Sequence, residues 1–338
     1  MQIIKGTNGF PYAWKAGRVE QLIVYMLENK AREQLDVERV MIINPTWLHE
    51  TNLADLIKNS SPDFIICHNF VDPAVPKIFE AVEQSGLPHV IIGNAAQYRI
   101  DFWAMVCDLY FQHYSEQQLA PLADMRKFIC LNRKPHGHRQ DLVNRLLPYS
   151  DLGYISLGDA ANPIVLDQEF SQEQGIDDEY SALAADDPYV SAQIRNDIFS
   201  LGNLDFWNRS LLCLVTETEF DNINPNNFFI SEKTWKPIIG MRPFFVYGQA
   251  PLRQYLKDAG FDIFEDLFDY SRIDETLYYP QKQQQYADVA VAAIEQINNV
   301  PEVYARCAER CRRNKYIFRK YVYKQWQQLH KLDLTNYV

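Results

Sequence analysis

FFISEKTWKPIIGMRPFFVY, residues 228–247, runs from an apolar stretch through a charged pair into an amphipathic segment, and then into a second apolar stretch. Glu232-Lys233 opens the middle segment and Gly240 closes it. The closing run, Pro243 to Tyr247, has the length and composition of a buried strand. That order reads as strand or loop, helix, strand. It puts an acid and a base together at a helix N-terminus beside the ends of buried strands. In open α/β sheets this is where phosphates and nucleotides bind. The stretch therefore predicts an α/β fold with a nucleotide site.

The wider chain supports the same class. Its 338 residues suit two domains, and 47% hydrophobic content supports two cores. The 19 Phe and 20 Tyr add large surfaces for burial. No apolar stretch approaches the roughly 20 residues of a membrane span. MQIIKGTNGF, residues 1–10, lacks the layout of a signal peptide, so the expected location is cytoplasmic. Four of the six cysteines, Cys67, Cys107, Cys130 and Cys213, lie in apolar runs and read as buried thiols. Cys307 and Cys311 form CxxxC with no histidine nearby, which fails the usual zinc spacings. A net charge of −11 disfavours a globally basic nucleic-acid binder. Charge is uneven, however, with basic runs at 126–145 and 302–324 that suit either solvated helix faces or an anionic ligand.

Short apolar runs alternate with helical patterns over residues 38–113. Val40 to Ile43, Phe64 to Cys67 and His89 to Ile92 read as strands, and Leu109 to Phe111 as another. Val75, Ile78, Phe79 and Val82 share a helical face, as do Val19, Leu22, Ile23, Met26 and Leu27. Continuous apolar strands between amphipathic helices predict a parallel sheet covered on both faces. A second series starts at Phe128 and continues through a helix containing Asp141 to Leu147, then strands at Ile155 to Leu157 and Leu211 to Thr216. A polar, acidic segment at 171–188 reads as an insertion. Leu252, Tyr255 and Leu256 suit a helix ended by Gly260, and 284–297 is helical in pattern. From Pro301 onward, Tyr304, Cys307, Cys311, Phe318, Val322, Trp326 and Leu329 recur at helical spacing, predicting one long amphipathic helix. The expected division is a Rossmann-like acceptor-side domain at 1–122, a nucleotide-sugar-type domain at 123–280, and a helical tail at 281–338 that packs back to brace the first.

Two segments carry the chemistry. NRKPHGHR, residues 132–139, follows a predicted strand and opens a helix, clustering Arg133, Lys134 and Arg139 with His136 and His138 on one turn. Such a turn binds a diphosphate by charge and by backbone N–H groups. It is neither a Walker loop nor a GxGxxG fingerprint, and an exposed basic turn accounts for it equally. In Ser231-Glu232-Lys233-Thr234, serine as cap and Glu232 in the first turn are both good helix starters. Lys233 opposes the helix dipole, and a bound phosphate supplies a reason for it. A carboxylate at Glu232 can accept hydrogen bonds from a ribose diol.

LNRKPHGHR (131–139), VTET (215–218), FFISEKTWKPIIGMRPFFVYG (228–248) and YLKDAGFDIFEDLFDYS (255–271) together resemble a group of glycosyltransferase-like proteins of phages and large viruses, related in pattern to the α-fucosyltransferases. The resemblance covers about residues 127–272, and the first 120 or so match by fold pattern only. It implies the GT-B architecture, two Rossmann-like domains facing a cleft, with the sugar nucleotide (UDP- or GDP-linked) held mainly by the C-terminal one. It also implies that Glu232 contacts the ribose, that Lys233 contacts the diphosphate, and that Arg133 is the best match to a further phosphate-binding arginine. Thr216, Glu217 and Thr218 line the nucleotide pocket on this reading, with Asn222 and Asn227 as weaker candidates; Trp235 suits packing better than base stacking.

Glycosyl transfer needs stabilisation of the leaving nucleotide diphosphate, removal of the acceptor proton and shelter of an oxocarbenium-like transition state. Lys233 and Arg133 serve the first need, and no DxD-like motif is placed to hold a metal, so metal independence is expected. A base is expected from the N-terminal domain, with Asp72, His68, His49 and Glu50 near predicted carboxyl ends of strands. An inverting displacement is implied by the resemblance. The acceptor is a saccharide or a hydroxylated base in DNA; a non-catalytic or regulatory nucleotide-binding protein of the same fold is the competing reading.

Overall fold

In a computed structural model of the chain, the residues described are 1–5, 15–44, 50–69, 76–93, 98–111, 114–132, 135–158, 164, 201, 204–220, 228–277 and 279–338. They form a mixed α/β structure with two parallel sheets. The chain divides into two units. One comprises Met1–Val106, Asn226–Phe229 and Val322–Val338; the other comprises Cys107–Pro225 and Ile230–Tyr321. The predicted insertion at 171–188 lies outside the described residues. No described helix is long and apolar enough to cross a membrane.

The first unit is built on strands β1 (Gln2–Lys5), β2 (Arg39–Ile43), β3 (Phe64–Asn69), β4 (His89–Gly93) and β5 (Tyr98–Arg99), all parallel and paired in chain order. Side chains alternate across a strand, so each buried run feeds two faces. Met41, Ile43, Ile65, Cys67 and Ile91 on one face pack with Leu53 and Ile57 of helix α2 (Glu50–Ser60) and Val82 of α3 (Pro76–Gln84). Val40, Ile42, Phe64, Ile66, Val90 and Ile92 on the other face are also buried. Helix α1 (Lys15–Gln34) buries Val19, Ile23, Leu27 and Ala31 at four-residue spacing. Its C-terminal part is tied to the end of the chain: Lys30 Nζ donates to the carbonyls of His330 (2.6 Å) and Leu332 (2.8 Å), and the Leu334 N–H donates to Gln34 Oε1 (2.8 Å).

Leu109 to Phe111, expected as a strand, is helical instead, forming the end of α4 (Phe102–Phe111). The segment FWAMVCDLYF is apolar almost all round, so periodicity cannot tell a buried helix from a buried strand. The deciding signal is Asp101, whose Oδ1 accepts from the Ala104 N–H at 3.0 Å as an N-terminal cap.

The second unit has strands β6 (Arg126–Asn132), β7 (Gly153–Leu157), β8 (Ser210–Thr216) and β9 (Phe244–Tyr247), all parallel in the spatial order β7-β6-β8-β9. Helix α5 (Gly137–Leu146) links β6 towards β7, and α6 (Leu204–Asn208) precedes β8. Gly153 opposes Phe128 in register, and a Cβ there would lie 2.4 Å from the Phe128 ring, so only glycine fits. Central strand β8 is buried along its whole length, as its unbroken apolar run requires. Edge strand β9 is buried as well, because aromatic rings cover both its faces. Phe245 meets Phe268 and Tyr270 at 5.2 and 5.5 Å between centroids, and Phe244 meets Phe264 at 5.7 Å. Behind them run α8 (Ala250–Asp258), α9 (Tyr279–Gln296) and the long α10 (Val300–Lys331). Helix α10 buries Cys307, Cys311, Phe318, Val322 and Leu329 of the predicted face. All six cysteines are free and buried.

Between β8 and β9 lies α7 (Glu232–Ile239), the helix read from the opening stretch. It ends in a Schellman-type turn: the Arg242 N–H donates to the Pro237 carbonyl at 2.9 Å and the Met241 N–H to that of Ile238 at 3.3 Å. The left-handed position falls on Met241 (φ 53°), one residue beyond the Gly240 that marks the end in sequence. Arg242 then turns inward and is almost fully buried. Its guanidinium donates to the carbonyls of Trp207 and Ser210 (both 2.9 Å), Leu119 (3.1 Å), Gly240 (3.0 Å) and Met241 (3.1 Å). One side chain thus gathers the segment before β6, the start of β8 and the α7–β9 turn. Replacing it strands several buried acceptors, each worth about 1–3 kcal/mol. Arg242→Met is expected to destabilise the protein by about 3 kcal/mol or more, read from urea unfolding followed by tryptophan fluorescence. A loss below about 1 kcal/mol would show that these contacts are not structural.

Candidate functional site

The second sheet reverses direction once. From β6 the chain adds β7 on one side, then crosses to add β8 and β9 on the other. The carboxyl ends of β6 and β8 therefore flank a topological switch point, where ligands bind in open α/β sheets. Among the described residues the first sheet, paired in chain order, has no such reversal.

Polar side chains at these strand ends are bonded to one another. Thr216 ends β8 and its hydroxyl donates to Oδ1 of Asn132, which ends β6. Asn132 Nδ2 donates in turn to the Ser156 carbonyl on β7 at 3.3 Å. Glu217 follows Thr216 and is fully buried. Its N–H donates to the Tyr247 carbonyl of β9 at 3.0 Å, and its own carbonyl accepts from His138 Nε2 (2.8 Å) and Arg139 (3.1 Å) on α5. The carboxylate accepts from the Ser231 hydroxyl (2.6 Å), the N–H groups of Thr218 (3.1 Å) and Ser231 (3.2 Å), and the Thr234 hydroxyl. Gly248 leaves room for it, since a Cβ there would sit 3.2 Å from Glu217 Cβ.

Glu217 thereby holds the start of α7. Ser231 caps that helix, its Oγ accepting from the Lys233 N–H at 3.3 Å while donating to Glu217. Glu232 and Lys233 then form an ion pair, Nζ to Oε1 2.6 Å. Burial pushes the Glu232 carboxyl up, but Lys233, Lys236 and hydrogen bonds outweigh it and hold the group below its ordinary value. The Lys233 side chain keeps 25% exposure, and its two near partners, Glu232 Oε1 and Ser231 Oγ (3.4 Å), leave a third N–H direction on the ammonium. The arrangement offers a cation, the positive end of the helix dipole and a carboxylate at one helix start. Trp235 points the other way, fully buried against Phe261, Phe318 and Tyr321 at 5.1–5.6 Å, so it packs the core as expected.

A wall of rings stands beside this start. Phe220 lies 5.5 Å from His138, 4.7 Å from Tyr247 and 5.6 Å from Tyr279, with Lys282 Nζ 5.3 Å above it. His138 is stripped of water, and burial pushes its pKa down to about 4. The ring is therefore neutral and donates from Nε2 to the Glu217 carbonyl.

The structure thus brings together Arg139, Thr216, Glu217, Glu232 and Lys233 of the predicted set. Arg139 is buried beneath the strand ends on the Glu217 carbonyl. Arg133, Lys134, His49, Asp72, Asn222 and Asn227 lie outside the described residues. Glu50 is the first residue of α2. His68 is only 3% exposed on β3, its Nδ1 3.7 Å from Glu20 Oε1, and burial pushes its pKa down to about 3, so the ring is neutral. Glu20 accepts from Asn44 at 2.5 Å. The sequence places His138 on the basic turn without a role of its own and does not single out Asn132, although a polar residue ending an apolar strand is a usable signal for both Asn132 and Thr216. Among the described residues no group of three or more His, Cys, Asp or Glu side chains could hold a metal ion.

Comparison with protein-family models, with curated proteins and with solved structures finds no match for this chain.

Two measurements check the site's construction. Glu217→Gln places an NH2 where donors converge, so a loss of about 2–3 kcal/mol in stability is expected; an unfolding midpoint within error of the wild type would contradict the geometry. For His138, the unfolded ring titrates near 6.5 and the folded ring near 4. Between these values the unfolded state binds the extra proton, so stability falls as pH drops through this window and levels off below it. The slope is up to about 1.4 kcal/mol per pH unit. Buried His68, pushed down to about 3, adds a slope of the same sign. His138→Gln should therefore reduce the slope in urea titrations across that range by up to about 1.4 kcal/mol per pH unit, and an unchanged slope would assign the effect elsewhere.

Proposed function

We propose that the protein is a nucleotide-sugar-dependent glycosyltransferase of the GT-B kind, moving a sugar from a nucleotide-diphosphate sugar to an acceptor hydroxyl. The observation that carries this reading is the Glu232–Lys233 pair. It stands at the N-terminus of α7, next to the one topological switch point among the described strands. The positive end of the helix dipole and a partly exposed ammonium there suit a diphosphate. The resemblance in the Glu-Lys stretch supports the same assignment. In the reaction the acceptor oxygen bonds to the anomeric carbon as the bond to the diphosphate oxygen breaks. The acceptor proton passes to a base, and the sugar inverts.

Each residue then has a task. Lys233 neutralises charge growing on the leaving diphosphate, with Arg133 as its expected companion. Glu232 turns from Lys233 to accept the ribose hydroxyls. Thr216 and Glu217 hold the strand end and helix start in register, with Arg139 and His138 anchoring Glu217 from below. Lysine and the positive end of the helix dipole carry the charge stabilisation, which makes the reading metal-independent. The acceptor is a saccharide or a hydroxylated base in DNA.

One observation favours the second reading, a nucleotide-binding protein without catalysis. His68, the one proposed base whose side chain is described, is buried away from solvent on β3, with Glu20 beside it. A catalytic protein releases nucleoside diphosphate from one sugar nucleotide, in hydrolysis or transfer, with or without a chelator. A binding protein takes up the nucleotide and releases nothing.

A thermal-shift panel of nucleoside diphosphates and sugar nucleotides tests the donor site, because a ligand selective for the folded state raises the melting temperature. One nucleoside diphosphate is expected to give a clear shift that is lost in Lys233→Ala, whose partly exposed side chain is not a core element. A flat panel for the wild-type protein would overturn the assignment.

A further inference from the structure

The solvent face of α10 carries a pattern that the donor site does not use. Arg313, Tyr316, Lys320 and Tyr323 follow one another at spacings of three, four and three, which puts them on one ridge of the helix. Cation and ring alternate along it. Both rings are well exposed, Tyr316 at 59% and Tyr323 at 64%, and Lys320 Nζ lies 4.4 Å from the Tyr316 centroid. Among the described residues neither Arg313 nor Lys320 has a carboxylate within ion-pair distance. The neighbouring charges differ. Arg310 is held by Asp262 and Asp266, and Arg312 is shared between Glu309 at 3.0 Å and Glu116 at 3.5 Å. Arg319 lies over the Phe111 ring at 5.1 Å. From Arg310 to Leu332 the sequence contains no acidic residue, in a chain of net charge −11.

A large exposed tyrosine is unremarkable singly, but two that alternate with exposed cations match a definite chemistry. Phosphates take the charges and planar bases stack on the rings. Successive cations, and successive rings, stand about 10 Å apart along the helix at 1.5 Å per residue. In a duplex the bases are stacked on each other and unavailable to a convex ridge, whereas a single strand can splay them. A lipid surface fits poorly. The apolar side of α10, with Cys307, Cys311, Phe318, Val322 and Leu329, is buried in the protein and has nothing left to insert.

We propose that this ridge of α10 binds single-stranded nucleic acid, with Tyr316 and Tyr323 as stacking platforms and Arg313 and Lys320 as phosphate contacts. The inference is independent of the donor site.

The test is fluorescence anisotropy of the full chain with a labelled oligothymidylate of about 12 nucleotides, within the usual site size, without any sugar nucleotide. Binding is expected to weaken with salt at a log–log slope of about −1.4, since each phosphate contact on a single strand contributes about −0.7. Tyr316→Ala with Tyr323→Ala should weaken binding about tenfold or more, and the two phenylalanine replacements should retain it. Arg313→Gln with Lys320→Gln should flatten the salt slope. These positions are exposed, so melting temperatures should stay unchanged, which separates lost contacts from lost folding. No binding at low salt, binding indifferent to the tyrosine changes, tighter binding to the matching duplex, or binding to anionic vesicles in place of the oligonucleotide would each overturn the proposal.

Discussion

The buried carboxylate of Glu217 is the constraint on which the second unit's strand ends depend. A carboxylate out of water is costly unless its oxygens are met by donors. Here two hydroxyls and two backbone N–H groups, from Ser231, Thr234 and Thr218, meet it. Those donors come from the loop after β8 and from the first turn of α7, so satisfying the charge fixes where the helix begins. The backbone of the same residue reaches β9 through Tyr247 and α5 through His138 and Arg139. One residue therefore sets the relation of three elements around the switch point. Glu232 and Lys233 are placed by this arrangement, because the capping Ser231 is itself a ligand of Glu217.

A second buried charge does comparable work at the opposite end of the same helix. Among the described residues Arg242 has only carbonyl and amide oxygens as hydrogen-bond partners, and it closes the α7–β9 turn against β8 and the segment before β6. The short helix is thus pinned at its start by an acid and just past its end by a base. Pinning matters because α7 contains Pro237, which removes one intrahelical hydrogen bond. Eight residues with an internal proline would not hold a helix unaided.

Much of this was legible in the sequence wherever burial writes itself as an apolar run. Val40 to Ile43, Phe64 to Cys67, His89 to Ile92 and Leu211 to Thr216 all fall in strands, because parallel strands covered on both faces must be apolar throughout. The same rule failed at Leu109 to Phe111, where a helix buried nearly all round is equally apolar. Helix ends were harder to read. Gly240 marked the end of α7 to within one residue, yet the left-handed position fell to Met241. Two-residue strand β5 was missed because so short a strand carries no period. At the site, Glu232 and Lys233 were legible as a pair, but the role of Glu217 was not. A buried carboxylate is recognised by its donors, and Ser231 and Thr234 approach it only through the fold. Strand order was also hidden, since local pattern does not say on which side of β6 the next strand pairs. That order is what separates the second sheet, with its reversal, from the first.

Hydrogen exchange with and without a saturating nucleoside diphosphate tests the central claim most directly, because it reports where a ligand is held irrespective of any reaction. The account predicts protection concentrated in the amides of 216–218 and 230–236, with a second region at 132–139, and little change in the first unit's strands. Protection confined to other segments, or none despite measurable binding, would contradict a donor site at the start of α7.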